Sequence, residues 1–376
     1  MKLLIQPGDG VAPLVEAING AKSRVEIAIF RFDRGEIERA LADAAARGVF
    51  VHALIAYTNR GGERNLRKLE MRLLAAGITV ARTADDLIRY HDKFLIIDRR
   101  ELFLLSFNFT HLDIDQSRCF GLITTDAKLV AEAVKLFEAD TKRQPYVSGL
   151  PAFIVSPVNA RKQLAAFLQG AKNDLLIYDP EISDPAMLKL LDARAQAGVD
   201  IKIIGRMSRA SSKIEVRKMS IMRLHTRTII RDGKQAFIGS QSLREMELGS
   251  RREVGLIFRD KKIVSALSRI FHDDWDAIER AAEQPVQAAV EPNGDAVQLA
   301  KVAKKVAKAI TKDLPPVAPV LRVVVRELVG ENGNGGLDTA VMEECVDDAV
   351  KEAVREAVRD AVETVVEQNG ASPTEH

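Results

Sequence analysis

His91, Lys93 and Asp98 stand in the spacing HxKxxxxD, and His225, Arg227 and Asp232 repeat it with Arg in place of Lys. A neutral imidazole beside a fixed cation suits attack on an anionic phosphorus. The cation neutralises the non-bridging oxygens as charge builds in the transition state. A second, protonated imidazole can give a proton to the leaving oxygen. One His as nucleophile and one as acid require two copies facing one site, and the chain supplies two. No metal or cofactor is expected, because the cations carry the charge a metal would bring. A lone His on a strand is ordinarily packed or exposed. Two at the same motif position, each with a cation two residues on and an acid five beyond that, point to an active site.

The elements that must position these residues come from an internal repeat. Ile5-Gln-Pro7 matches Val155-Ser-Pro157, Gly20-Ala-Lys22 matches Gly170-Ala-Lys172, and Gly48-Val49 matches Gly198-Val199, all 150 residues apart. From the motif onward the offset is 134: His91 with His225, Ser106 with Ser240, Arg118 with Arg252, and Phe137-x-x-Asp140 with Phe271-x-x-Asp274. Each copy reads strand, helix, strand (25–30 and 174–178), helix, strand (50–55 and 200–204). Ile37, Leu41 and Ala44 show helical spacing, and Gly48 and Gly198 end the helices. Such alternation implies an α/β fold with a mixed sheet, flanked by helices, in each half. The 16 residues of difference fall before the motif, where the first half carries an extra helix at 64–76 and the second a short loop at 206–224. Residues 94–97 read as a buried strand. Alternation then puts His91 and Lys93 on one side and Asp98 and Asp232 on the other, as structural residues. The expected organisation is a first repeat at 1–147, a second at 148–281 and a helical extension at 282–376.

The composition constrains the setting. The chain has 376 residues, 47% apolar, with net charge +2, which argues neither for nucleic acid nor for a membrane by itself. Cys119 and Cys345 are too few for a disulfide framework or a zinc site. The start of the chain lacks the apolar core of a signal peptide, and no run reaches the ~18 apolar residues of a membrane span. The expected location is cytoplasmic or peripheral at a membrane.

These motifs resemble the phospholipase D superfamily, whose duplicated HxKxxxxD motifs form one site at a pseudo-twofold interface. That family follows each motif with GSxN, and this chain has Leu-Ser106-Phe-Asn108 and Gly-Ser240-Gln-Ser242. The family then places an acid before a Gly-aliphatic strand. Here the position holds Cys119 in one copy and Glu253 in the other. The first half is most similar to bacterial cardiolipin synthase-like members, through residues 40–49 and Phe107-Asn-Phe-Thr110.

The resemblance implies a two-step exchange through a phosphohistidine. His91 would attack and His225 would protonate the departing alcohol. Ser106, Ser240 and Ser242 would bind substrate. The acid after one motif would orient the His of the other. His91 is then served by Lys93, Asn108 and Glu253, whereas His225 meets Arg227, Ser242 and Cys119. A thiol cannot replace a carboxylate, so the pKa of His225 is expected to be lowered and its service as general acid weakened. The outcome is a slowed or specialised enzyme, or a site that holds phosphate without turnover.

The first reading is therefore a phosphodiester hydrolase or phosphatidyltransferase acting on phospholipid. A nuclease of the same chemistry is less favoured, since four Tyr and one Trp offer little for base stacking. A non-catalytic phosphate- or lipid-binding module is the third. His111 and His52 are expected at a loop and in a core strand, and Trp275 as a helix anchor. In the tail, Val302, Val306 and Ile310 line a lysine-rich helix, and a valine stripe from Val346 to Val366 lines an acidic one. Regular stripes of this kind seek a partner, so self-association or contact with an anionic membrane is expected there.

Overall fold

Ile37, Ala40, Leu41 and Ala44 are the buried face of the helix Gly35–Ala46. Gly48 and Gly198 follow the equivalent helices at φ +83° and +90°, the left-handed conformation in which glycine pays no steric penalty. A computed structural model describes residues 1–57 and 63–283. Met1–Glu283 form one compact unit. The expectations for the tail lie outside the described residues.

Each half builds a mixed sheet. In the first, the order is Lys2–Gln6, Ser117–Thr124, Glu101–Leu105, Phe94–Ile97, Arg24–Ile29, Phe50–Ile55 and Thr79–Arg82. In the second it is Glu215–Arg217, Asp200–Met207, Asp174–Ile182, Arg227–Arg231, Gln235–Gly239, Arg251–Phe258 and Arg89–Tyr90, with Phe153–Ser156 also on Arg251–Phe258. Glu63–Ala75 is the extra helix of the first half. The loop expected at 206–224 contributes a strand at Glu215–Arg217 that extends the second sheet.

The sheet orders conceal an exchange. Arg89–Tyr90 belongs to the first half but pairs with Arg251–Arg252 of the second. Arg223–Leu224 belongs to the second half but pairs with Ser117–Arg118 of the first. Each two-residue strand leads directly into a motif His. The His91 amide donates to the Arg252 carbonyl at 2.8 Å, and the His225 amide to the Arg118 carbonyl at 3.2 Å. Both histidines are thereby delivered to the seam between the halves.

The residues matched at offset 134 hold that seam. Arg118 makes two 2.8 Å bonds to Asp274 of the second half, and Arg252 donates at 3.0 Å to Asp140 of the first. Phe137 and Phe271 sit in an apolar core shared by both halves, together with Phe120, Phe153 and Tyr178. The helices Ala127–Thr141 and Lys261–Glu283 contribute to this layer. Trp275 stacks on Phe271 at 5.8 Å, as expected of a helix anchor. One further core lies against each sheet, built from the first half and from the second.

The motif aspartates close loops. Asp98 accepts from the amides of Lys22, Ser23 and Arg24, and Asp232 from those of Lys172, Asn173 and Asp174. This accounts for the repeated Gly-Ala-Lys segments: each is the loop that its motif Asp pins to the strand. Both aspartates sit at positive φ, 51° and 54°, a region that Asp enters more readily than most residues.

Candidate active site

Delivery by the exchanged strands places His91 against Glu253 of the opposite half, Nδ1 to Oε2 2.7 Å, with Glu253 fully buried. Phe30 meets the His91 ring edge-on at 4.5 Å. His91 and Lys93 lie in the link just before the strand Phe94–Ile97, rather than on it. Lys93 turns back so that its Nζ donates to the His91 carbonyl at 2.6 Å.

The second motif repeats this contact with another side chain. Arg227 Nη1 donates to the His225 carbonyl at 2.6 Å, and its Nε donates to Ser242 Oγ at 3.1 Å. The planar fork of Arg presents donors on separate nitrogens in fixed directions, whereas Lys carries its three donors on one nitrogen. Arg227 and Ser242 are thus a matched pair. Asn108, at the place equivalent to Ser242, gives its backbone N–H and its Nδ2 to Asp113 at 2.8 and 2.7 Å.

Ser106 and Ser240 sit deeper. The Ser106 hydroxyl donates to the Phe120 carbonyl at 2.7 Å and accepts from the Phe120 amide at 3.0 Å. Ser240 holds Val254 in the same way, at 3.4 and 3.2 Å. Ser106 Oγ also lies 3.2 Å from Thr226 Oγ1, beside His225, so the motif ends touch across the seam.

His225 differs most from expectation. Cys119 lies 3.8 Å from its Nδ1, as the repeat requires. A carboxylate is there too: Asp113 Oδ2 is 3.4 Å from the same nitrogen. Asp113 comes from the short helix His111–Gln116, whose N-cap Thr110 accepts the Asp113 amide. Arg223 donates to Asp113 Oδ1 at 2.6 Å. The expectation of an imidazole without a carboxylate is therefore corrected, because an element outside the motif supplies one. Asp113 and Arg223 were both missed from sequence. The signal was available, since the 134-residue offset pairs Asp113 with Glu247 and Arg223 with Arg89. Glu247 accepts from the Ser242 amide at 2.6 Å and from Arg251 at 3.2 Å.

Burial and charge set the protonation states. Burial, then Lys93 and Arg227, hold His91 well below the ordinary imidazole range. Burial also holds His225 well below it, with Asp113 opposing and Arg227, Arg223 and Lys93 reinforcing. Both histidines thus feel both motif cations, which places the two motifs in one electrostatic site. Burial brings Lys93 down to about 7, against the pull of Glu253. Burial and neighbouring Glu247 push Glu253 up to about 8.

A pH dependence follows. Phosphoryl transfer by this set would need Lys93 charged, a form lost above about 7, and Glu253 ionised, a form gained above about 8. The product of the two populations is a plateau between these values that declines on either side. A guanidinium stays protonated throughout. Lys93→Arg is therefore expected to abolish the alkaline decline in kcat/KM while keeping the acid one. A pH–rate profile with the alkaline decline unchanged would contradict this assignment.

Other histidines stand apart. His111 opens the helix His111–Gln116 beside Arg34 and Asp115, with its side chain largely exposed. His52 lies on the strand Phe50–Ile55, edge-on to Phe137 at 5.2 Å, and burial lowers its pKa.

A family model described as cardiolipin synthase, PLD-like domain, matches residues 14–141 and 164–275. The mitochondrial cardiolipin hydrolase of Danio rerio is 30% identical over 130 residues, which are 34% of this chain and 56% of that protein. The chain thus spans just over half the length of that relative. Among solved structures, the polyphosphate kinase of Porphyromonas gingivalis aligns with TM-score 0.62 at 20% identity, over 73% of this chain and 50% of that one. The phosphatidylserine synthase of Haemophilus influenzae Rd KW20 aligns with TM-score 0.52 at 11% identity, over 71% and 83%. At such identities the structures share a fold.

Proposed function

The chain belongs to the cardiolipin synthase, PLD-like domain family, and on that premise we propose that it is a phosphodiester hydrolase or phosphatidyltransferase acting on phospholipid through a phosphohistidine. The observation that carries this reading is the His91–Glu253 contact of 2.7 Å across the seam, inside the joint field of Lys93 and Arg227. The family description and the name of the zebrafish relative favour a phospholipid as the substrate. Among the described residues no helix is long and apolar enough to cross a membrane.

Glu253, as carboxylate, accepts from His91 Nδ1–H and leaves the Nε2 lone pair for attack. The Nε2–P bond forms as the P–O bond to the leaving alcohol breaks. His225 gives its proton to that oxygen. Water or an alcohol then attacks phosphorus, loses its proton to His225, and the N–P bond breaks. Lys93 and Arg227 hold the non-bridging oxygens and offset their charge in both steps. Each His is neutral in the free site. A bound phosphodiester brings a negative charge between the cations, which favours the charged form of His225 for the first step. The repeats at 1–147 and 148–281 are the two halves of this one catalytic unit.

The test is a panel of vesicles of phosphatidylcholine, phosphatidylglycerol or cardiolipin, with a chromogenic phosphodiester and single-stranded DNA alongside. Release of phosphatidic acid, or headgroup exchange with added glycerol, is the expected result. Turnover of DNA alone would overturn the lipid assignment, and no turnover of any member would overturn the enzyme.

A further inference from the structure

We propose that Asp113 is the positioning carboxylate of His225, playing for it the role that Glu253, the residue aligned with Cys119, plays for His91. The inference deepens the proposed function and rests on it for the catalytic consequence.

The two halves provide for their histidines from different places. His91 meets Glu253, which stands on the strand Arg251–Phe258. The matching strand residue for His225 is Cys119, a neutral thiol whose pKa burial raises well above its usual value. A thiol is a weak acceptor and carries no charge with which to hold an imidazolium. Asp113 approaches the same ring nitrogen from the helix His111–Gln116. Its counterpart Glu247 is engaged with Ser242 and Arg251. Asp113 belongs to the first half, so His225, like His91, still receives its carboxylate from the opposite repeat.

Asp113 is built to stay in place. It is 2% exposed, and Asn108 and Arg223 hold both its oxygens. Burial alone would raise its pKa, but His225, Arg223 and the Asn108 amide hold it well below the usual carboxylate range. It is thus a fixed anion at any working pH. Of the charged groups that act most strongly on His225, Arg227, Arg223 and Lys93 favour the neutral ring, and Asp113 favours the charged one. A general acid among three cations needs such a counter-charge to carry its proton.

The chain has six histidines, so full-length protein carrying 15N-histidine gives a tractable spectrum in which His225 can be titrated directly. The variants are Asp113→Asn, Cys119→Asp and the two combined. Asp113→Asn is expected to lower the pKa of His225 by about one unit or more. It should slow cleavage of a substrate with an alkyl alcohol leaving group by about 10²-fold, and hardly affect a nitrophenyl leaving group, which departs without a proton. Asp113→Asn combined with Cys119→Asp should recover both the pKa and most of the rate, since the carboxylate returns to the strand position. Cys119→Asp alone should bring no gain. An unchanged His225 pKa in Asp113→Asn would overturn the proposal. So would failure of the folded double variant to recover, which would show a structural role only. If the wild-type protein turns over no phosphodiester, the proposed function fails while the titration still decides the role of Asp113.

Discussion

His91→Ala is expected to lose turnover on the order of 10⁶-fold, the scale at which removal of a covalent nucleophile is felt. Nothing else on the seam can replace it. A charged Lys93 has no lone pair with which to attack, and Cys119 is buried as a thiol beside the other imidazole. His225→Ala should behave differently. A poor leaving group needs its proton, so cleavage of an alkyl phosphodiester should fall by about 10²–10⁴-fold. A nitrophenyl phosphodiester should still release its phenol in a first burst, and the enzyme should then stall, because no base is left to draw the proton from incoming water. The check is a burst assay with both variants on both substrates. Equal loss in both variants on both substrates would deny the division of roles.

Glu253→Gln should cost about 10⁴-fold, the size of the penalty when a buried carboxylate that fixes an imidazole tautomer becomes an amide. An amide nitrogen placed 2.7 Å from Nδ1 would donate to it and leave the proton on Nε2, where attack must occur. The variant also loses the ionisation that Glu253 undergoes at about 8, so the acid decline of the pH profile should vanish with it. Steady-state kinetics between pH 5 and 9 would show both effects. A Glu253→Gln enzyme with near wild-type kcat and an intact acid limb would remove Glu253 from the mechanism.

Much of this arrangement was legible in the sequence because duplication writes each position twice. The motif histidines, Arg118 with Arg252 and Asp140 with Asp274 all fall on one offset, and the structure shows why: each is part of the seam. The exchanged strands were not legible. Arg89–Tyr90 and Arg223–Leu224 are two residues long, too short for any periodicity, and their partners lie more than a hundred residues away. Nor was the pairing of Arg227 with Ser242. Read singly, each is a departure from the first copy; in the structure the forked cation and the hydroxyl satisfy each other. Asp113 was hidden because it does not occupy the position aligned with Glu253. A side chain six residues earlier reaches the same nitrogen, because the short helix His111–Gln116 is folded over the end of the strand Ser117–Thr124. The asymmetry between the two copies is therefore smaller in charge than in sequence.

In the proposed reaction His91 carries the phosphoryl group. Rapid acid-free quenching of His225→Ala with a nitrophenyl phosphodiester, followed by proteolysis and mass spectrometry under alkaline conditions, tests it most directly. One covalent phosphoramidate adduct is expected, on the peptide that contains His91. An adduct on any other residue, or a phenol burst with no adduct at all, would contradict it.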